Sequence, residues 1–255
     1  MKKKHYIILA ISSYLLFTLA YTPAASIISL LEKSLPLPVK IYGVSGSIWN
    51  GHADRLLGQL KFPVTDINWS LNFLPLLTGS LSADINASVK QQAVSGQLAL
   101  SLLGGLSANN IKSEIPAMEM QQLIDIPIGE FAGKFILDIE SAQMNPQGLP
   151  QLDATIYWQD AKFTLAQTVD LGQVLLDIKP DNKQGLLAKL TNKNAKLGIE
   201  GTINIHENKQ YVADISFTAK DRDPAIQQSL AMFAKKQTNG SYRLQKSGNI
   251  NQLGF

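Results

Sequence analysis

Polar and apolar residues alternate with a period of two along most of this chain, and such a pattern can be satisfied only by strands with one wet and one apolar face. Asp66–Asn72 alternates without error, and Gly79–Val89 nearly so. Gln97–Leu102, Lys134–Ile139, Asp153–Trp158, Gln173–Ile178 and Ile199–Ile205 follow the same rule. Turn residues punctuate these runs at Gly104-Gly105, Asn109-Asn110, Asn145-Pro146-Gln147-Gly148, Pro180-Asp181-Asn182 and Glu207-Asn208. Short connections of this kind join antiparallel neighbours. The expectation is a mainly β protein built on a curved antiparallel sheet. An open groove and a closed sandwich share the same alternation, so both remain open.

Two segments carry helical signals. Pro116–Asp125 begins with a first-turn proline and spaces Met118, Gln122 and Leu123 helically. Asp223–Gln237 has a capping Asp223, Pro224 in the first turn, and Ile226, Leu230 and Phe233 on one face. The fold class therefore includes two short helices. Ile67-Asn68-Trp69 is echoed by Ile156-Tyr157-Trp158, and Pro116-Ala117-Met118 by Pro224-Ala225-Ile226. The echo suggests a strand-strand-helix plan used twice.

The N-terminus obeys a different rule. No residue from Tyr6 to Leu31 is charged, and Lys2, Lys3 and Lys4 precede the run. A bilayer needs about 20 such residues as a helix, and the lysines hold the near end in the cytoplasm. Residues 6–31 are thus expected to form a transmembrane helix, with 1–5 cytoplasmic. A cleaved signal peptide ending near Thr22-Pro23-Ala24-Ala25 competes with that reading, but the apolar run continues past the cut. Pro23 ends or kinks the helix. Residues 32–38, with Pro36 and Pro38, read as a stiff linker, and 39–255 as a periplasmic β-rich domain.

Composition narrows the functions. The net charge is +3, and the basic residues outside the N-terminus are interleaved with acids. No basic stripe with aromatics suggests nucleic acid. There are no cysteines, which rules out disulfides and thiolate chemistry. His5, His52 and His206 lack metal-binding spacing. Gly43-Val44-Ser45-Gly46 lacks the lysine and helix of a phosphate loop. Asp66, Asp84, Asp138, Glu140 and Asp153 alternate with apolar residues, as a solvated sheet face requires. No cofactor, metal or catalytic residue is expected.

One motif stands apart. Val44–Gly51 places Trp49 between Gly46 and Gly51, as a short strand with a bend at each end whose Trp49 fills the core or else serves an interface or an apolar ligand groove. The lysine-led N-terminal run and Gly46-Ser47-Ile48-Trp49-Asn50-Gly51 begin a longer series. Ile67-Asn68-Trp69-Ser70-Leu71 with Pro75-Leu76-Leu77-Thr78-Gly79 comes next, then Trp158-Gln159-Asp160-Ala161 with Leu171-Gly172, and finally Asn239–Leu244 with Gly248. In this order the chain resembles the type II secretion system protein N family. Gly46, Trp49, Gly51, Trp69, Gly79 and Trp158 carry the resemblance and are the candidate structural motif.

The resemblance implies an inner-membrane accessory or assembly component of the secretion apparatus without enzymatic activity, whose partners are the inner membrane and other type II secretion subunits. It also suggests kinship with AsmA-like proteins, whose curved sheets form apolar grooves. The alternative function is accordingly a periplasmic lipid-binding or lipid-transfer module that takes phospholipid.

Overall fold

The computed structural model describes residues 2–34, 39–58, 62–101, 104–123, 129–144, 149–164, 167–181, 185–219 and 224–250. The Leu35–Pro38 connector, the Asn145–Gly148 turn, Asn182, the end of the first predicted helix at Asp125 and the Asp223 cap lie outside these residues. The chain divides into two compact units, Met1–Leu102 and Leu103–Phe255.

In the first unit, helices α1 (Lys2–Ala20) and α2 (Ala24–Ser34) precede strands β1 (Lys40–Tyr42), β2 (Ser45–Gly46), β3 (Asn50–Leu57), β4 (Val64–Asn72), β5 (Ser80–Val89) and β6 (Gln92–Ser101). One-turn helix α3 (Phe73–Leu77) separates β4 from β5. The order across the sheet is β1-β3-β4-β5-β6, and β2 also pairs with β3. All these pairings are antiparallel.

The expected transmembrane helix is corrected here. Among the described residues, no helix is long and apolar enough to cross a membrane. The uncharged run is divided between two helices, because α1 stops at Ala20 and α2 starts after Pro23. The uncharged part of α1, Tyr6–Ala20, is only about 22 Å long at 1.5 Å per residue, against a hydrocarbon core of about 30 Å. Helix α2 runs to Ser34, so it takes up the first residues of the predicted linker.

In the second unit, β7 (Leu106–Pro116) leads into α4 (Ala117–Leu123). Then come β8 (Glu130–Gln143), β9 (Gln151–Thr164), β10 (Thr168–Asp181), β11 (Gly185–Lys193), β12 (Leu197–Ile205) and β13 (Gln210–Ala219). Helix α5 (Pro224–Ala231), β14 (Lys235–Lys236) and β15 (Tyr242–Asn249) complete it. The strand order is β7-β8-β9-β10-β11-β12-β13-β15-β14. Strand packing is dominated by ladder neighbours, which is the arrangement of an open sheet and not of two sheets face to face.

Register turns the sequence alternation into two surfaces. Leu137, Ile156, Leu176, Leu190, Gly201, Ile215 and Leu244 are successive cross-strand partners from β8 to β15. They form one apolar row across the unit. The opposite face carries Lys134–Glu114 at 2.9 Å, Lys179–Asp153 at 2.6 Å and the Arg243–Asp214 pair. Such exposed pairs contribute little stability and mark the wet side. Bulges between Ala132 and Lys134 and on both sides of Gly172 interrupt the ladders and bend the strands there.

Helix α5 covers one end of the apolar face. Ile226 and Leu230 pack with Ala161, Leu171, Val174, Leu197, Ala234 and Tyr242 into the main core of the unit. The helix stops at Ala231 and does not reach Gln237. Its last turn is closed by the Ala234 N–H donating to the Leu230 carbonyl at 2.8 Å. Lys235 and Lys236 then pair with Arg243 and Tyr242 as an edge strand. Helix α4 is fixed by Gln121, whose amide donates to the Gly129 carbonyl at 2.6 Å and accepts from the Phe131 N–H at 3.1 Å.

Candidate functional site: the Trp49 turn and the apolar pocket

Trp49 does not sit in a strand. Strands β2 and β3 form a hairpin, and Ser47–Trp49 make its turn. The Ser47 N–H donates to the Asn50 carbonyl at 2.9 Å, and the Asn50 N–H donates to Ser47 Oγ at 3.1 Å. Gly46 enters the turn at φ +80°, where a Cβ would lie 2.6 Å from the Asn50 oxygen. A side chain at this position would meet both a left-handed backbone and a carbonyl.

The turn is fixed from three sides within the first unit. From β4, the Trp69 indole N–H donates to the Ile48 carbonyl at 3.1 Å, and the Leu71 N–H donates to the Trp49 carbonyl at 2.7 Å. From the N-terminal helices, the Thr22 carbonyl accepts from the Ile48 N–H at 3.1 Å, and Pro23 bridges to Ser47. Ala24, the first residue of α2, is 1% exposed at this junction. On the third side the Trp49 ring lies 6.3 Å from Phe73 of α3, tilted by 52°.

Gly51 completes the joint. It is the cross-strand partner of Trp69, and a Cβ there would fall 2.0 Å from the indole ring. The ring lies across the glycine, and only glycine leaves it room. Gly79, at φ +78°, follows α3, and its N–H donates to the Leu76 carbonyl at 3.2 Å. Five of the six motif residues, Gly46, Trp49, Gly51, Trp69 and Gly79, therefore build or adjoin one joint. It ties the N-terminal helices to the sheet and to α3.

Trp158 belongs to the second unit. Its indole N–H donates to the Ala132 carbonyl at 2.8 Å, and its ring stacks on Phe135 at 5.1 Å and meets the edge of Phe131 at 5.3 Å. Phe131 in turn contacts Phe163, 5.4 Å away. Phe163 lines a feature that sequence reasoning did not locate, an apolar cavity of about 260 Å³ beneath α5. Val169, Leu171, Ile199, Phe217 and Phe233 also line it, and among the described residues its polar side chains are Gln167 and Ser229. Among the described residues its lining holds no titratable group, so the cavity suits an apolar chain.

Titratable groups elsewhere serve the sheet faces. His52 Nδ1 lies 3.0 Å from Asn68 Oδ1 and Nε2 3.1 Å from Asp54 Oδ1. The Asn68 hydrogen bond, then the Asp54 one, raises the imidazole pKa above 6.5. Arg243 grips Asp214 with two nitrogens and holds its carboxyl below the usual range. Among the described residues, no three His, Asp or Glu side chains converge to hold a metal.

The sequence of residues 38–245 matches the family described as Type II secretion system (T2SS), protein N. The chain belongs to the type II secretion system protein N family. The match takes in the Trp49 turn and the strands from β1 into β15, and starts just after the two N-terminal helices. Type II secretion system protein N of Vibrio cholerae serotype O1 is 23% identical over 224 residues, covering 85% of this chain and 88% of that protein. Its namesake in Aeromonas hydrophila is 25% identical over 248 residues, covering 93% and 95%. No solved structure matches the chain. The family is one of type II secretion components, in keeping with the resemblance seen in the motif residues.

Proposed function

We propose that this protein is an assembly or accessory subunit of the type II secretion system, without enzymatic activity, working at the inner membrane with its sheets in the periplasm. The observation that carries the reading is the family match, which extends over nearly all the strands of both units and includes the Trp49 turn. The joint gives that role a physical form: a subunit that acts by contact needs its sheet held rigidly to whatever its N-terminal helices engage. Those helices are suited to lipid. Tyr6, Ile7, Leu9, Ile11, Tyr14 and Phe17 are all more than half exposed on α1, and a helix apolar all round is not stable in water alone. The partners are then the inner membrane and the other secretion subunits. Deletion of the gene, with export of a secreted enzyme measured before and after complementation, tests the role; undiminished export in the deletion strain contradicts it.

A second reading is favoured by one observation, the cavity beneath α5. An open apolar pocket with almost no polar lining suits the acyl chain of a phospholipid. Mass spectrometry of protein purified in mild detergent tests this. Recovery of stoichiometric phospholipid supports it, and lipid-free protein with an unchanged fold contradicts it.

A further inference from the structure

We propose that α3 is a second membrane-contact element, a short apolar wedge that enters the lipid surface beside the N-terminal helix. The proposal rests on the reading that α1 lies in lipid, and adds a contact which that reading does not require.

The first observation is the composition and exposure of α3. It reads Phe-Leu-Pro-Leu-Leu, and none of its residues is buried. Leu74 is 76% exposed, Leu77 73% and Phe73 60%. A single turn of helix is too short to be stable by itself, and one with no fully buried residue gains little from the sheet below it. Scattered exposed leucines need no explanation, but a whole turn of large apolar side chains does. On β5, which follows α3, Leu81 and its cross-strand partner Leu100 are exposed as well.

The second observation identifies the occupant. The patch is joined to α1 by a short series of fixed contacts inside one unit. Phe73 meets the Trp49 ring, the Trp49 turn is bonded to Thr22 and Pro23, and these two residues follow α1 after Tyr21 alone. Trp69 and Leu71 hold the same turn from behind. An apolar helix with large exposed side chains and an apolar turn left largely uncovered among the described residues thus emerge from one joint. A lipid surface satisfies both at once. A protein groove fitted to α3 alone would leave α1 uncovered.

The chain has no cysteine, so single nitroxide labels can be placed without removing native thiols. Full-length protein carrying Leu74→Cys, Leu77→Cys, Ile11→Cys or Asn86→Cys is reconstituted into vesicles of phosphatidylethanolamine and phosphatidylglycerol. Power-saturation spectroscopy then compares the access of oxygen with that of a water-soluble nickel complex. Ile11 reports α1, and Asn86 reports the polar face of β5. The expected result is a severalfold excess of oxygen over nickel accessibility at Leu74, Leu77 and Ile11, and the reverse at Asn86. Leu74 and Leu77 labels that follow Asn86 while Ile11 reads lipid overturn the wedge and leave the α1 reading intact. All four in water overturns both. The two α3 positions are independent and largely exposed, so failure of one variant to fold leaves the other to decide.

Discussion

Substituting Gly51 by alanine should damage the Trp49 joint far more than one methyl group would suggest. The added Cβ would lie 2.0 Å from Trp69 Cζ2 and 2.4 Å from Cε2, whereas carbon atoms settle at about 3.5–4.0 Å. Relief requires the indole to retreat by about 1.5 Å along the line of contact. Its bond to the Ile48 carbonyl is 3.1 Å long, and a shift of that size takes it beyond hydrogen-bonding range. The lost bond costs about 1 kcal/mol, and forcing a methyl into packed space adds about 1–3 kcal/mol. Gly51→Ala is therefore expected to destabilise the first unit by about 2–4 kcal/mol. Urea denaturation followed by tryptophan fluorescence reads this directly. Gly198→Ala is the control, because a Cβ there has ordinary contacts of 3.5 and 3.7 Å; it should change stability by less than about 1 kcal/mol. Repeating Gly51→Ala in a Trp69→Leu background removes the ring that the methyl strikes, so the second substitution should be nearly free. If Gly51→Ala unfolds within about 0.5 kcal/mol of the parent, or costs the same with and without the indole, the close-approach argument is wrong.

Other outcomes follow from the same structure. Leu230→Ala, at a site 3% exposed in the core beneath α5, should cost about 2–5 kcal/mol in calorimetry of the full chain. The His52 imidazole should titrate above its free value of 6.5 by NMR and move back toward it in Asn68→Ala. With the folded pKa raised, this histidine's contribution to stability is complete below 6.5 and is lost as pH rises through the folded value. Asp214 is shifted the other way by Arg243. Its contribution is complete above the ordinary carboxylate range and is lost as pH falls through the depressed value, and Arg243→Gln should remove that acid-limb dependence in pH-resolved denaturation.

Much of the sheet was legible because most strands bury one face only. The seven alternating runs map onto β4, β5, β6, β8, β9, β10 and β12, save that Gly79 precedes β5 and Leu102 lies outside the described residues. Strand β7 was hidden by Asn109-Asn110, which reads as a turn; Asn110 instead sits at φ +52° inside the strand. Strand β11 opens Gly-Leu-Leu-Ala, apolar on both faces, so period two fails there. Strand β13 alternates well, with Tyr211, Ala213, Ile215 and Phe217 on one face, and the signal to find it was present. Helix α3 was missed because Pro75 lies within it and five residues give no periodicity. The apolar count misled at the N-terminus, where hydropathy adds across Tyr21–Pro23 but a helix does not.

The motif residues were visible individually, but their meeting was not. Trp69 reaches Ile48 only through the β3–β4 register, and no spacing rule encodes that contact. Likewise, the cavity beneath α5 joins Phe163 on β9 to Phe217 on β13 and Phe233 beyond the helix. Those residues lie too far apart in sequence for pattern reading to group them.

On this reading a type II secretion subunit has its sheet held to its N-terminal helices by the Trp49 turn. The most direct measurement is affinity capture of the full-length protein from detergent-solubilised membranes of its own host, with co-captured proteins quantified beside a Gly51→Ala variant expressed at the same level. Secretion subunits enriched with the parent and depleted with the variant are the predicted result. Capture of the intact protein with no secretion subunit above background would contradict the account.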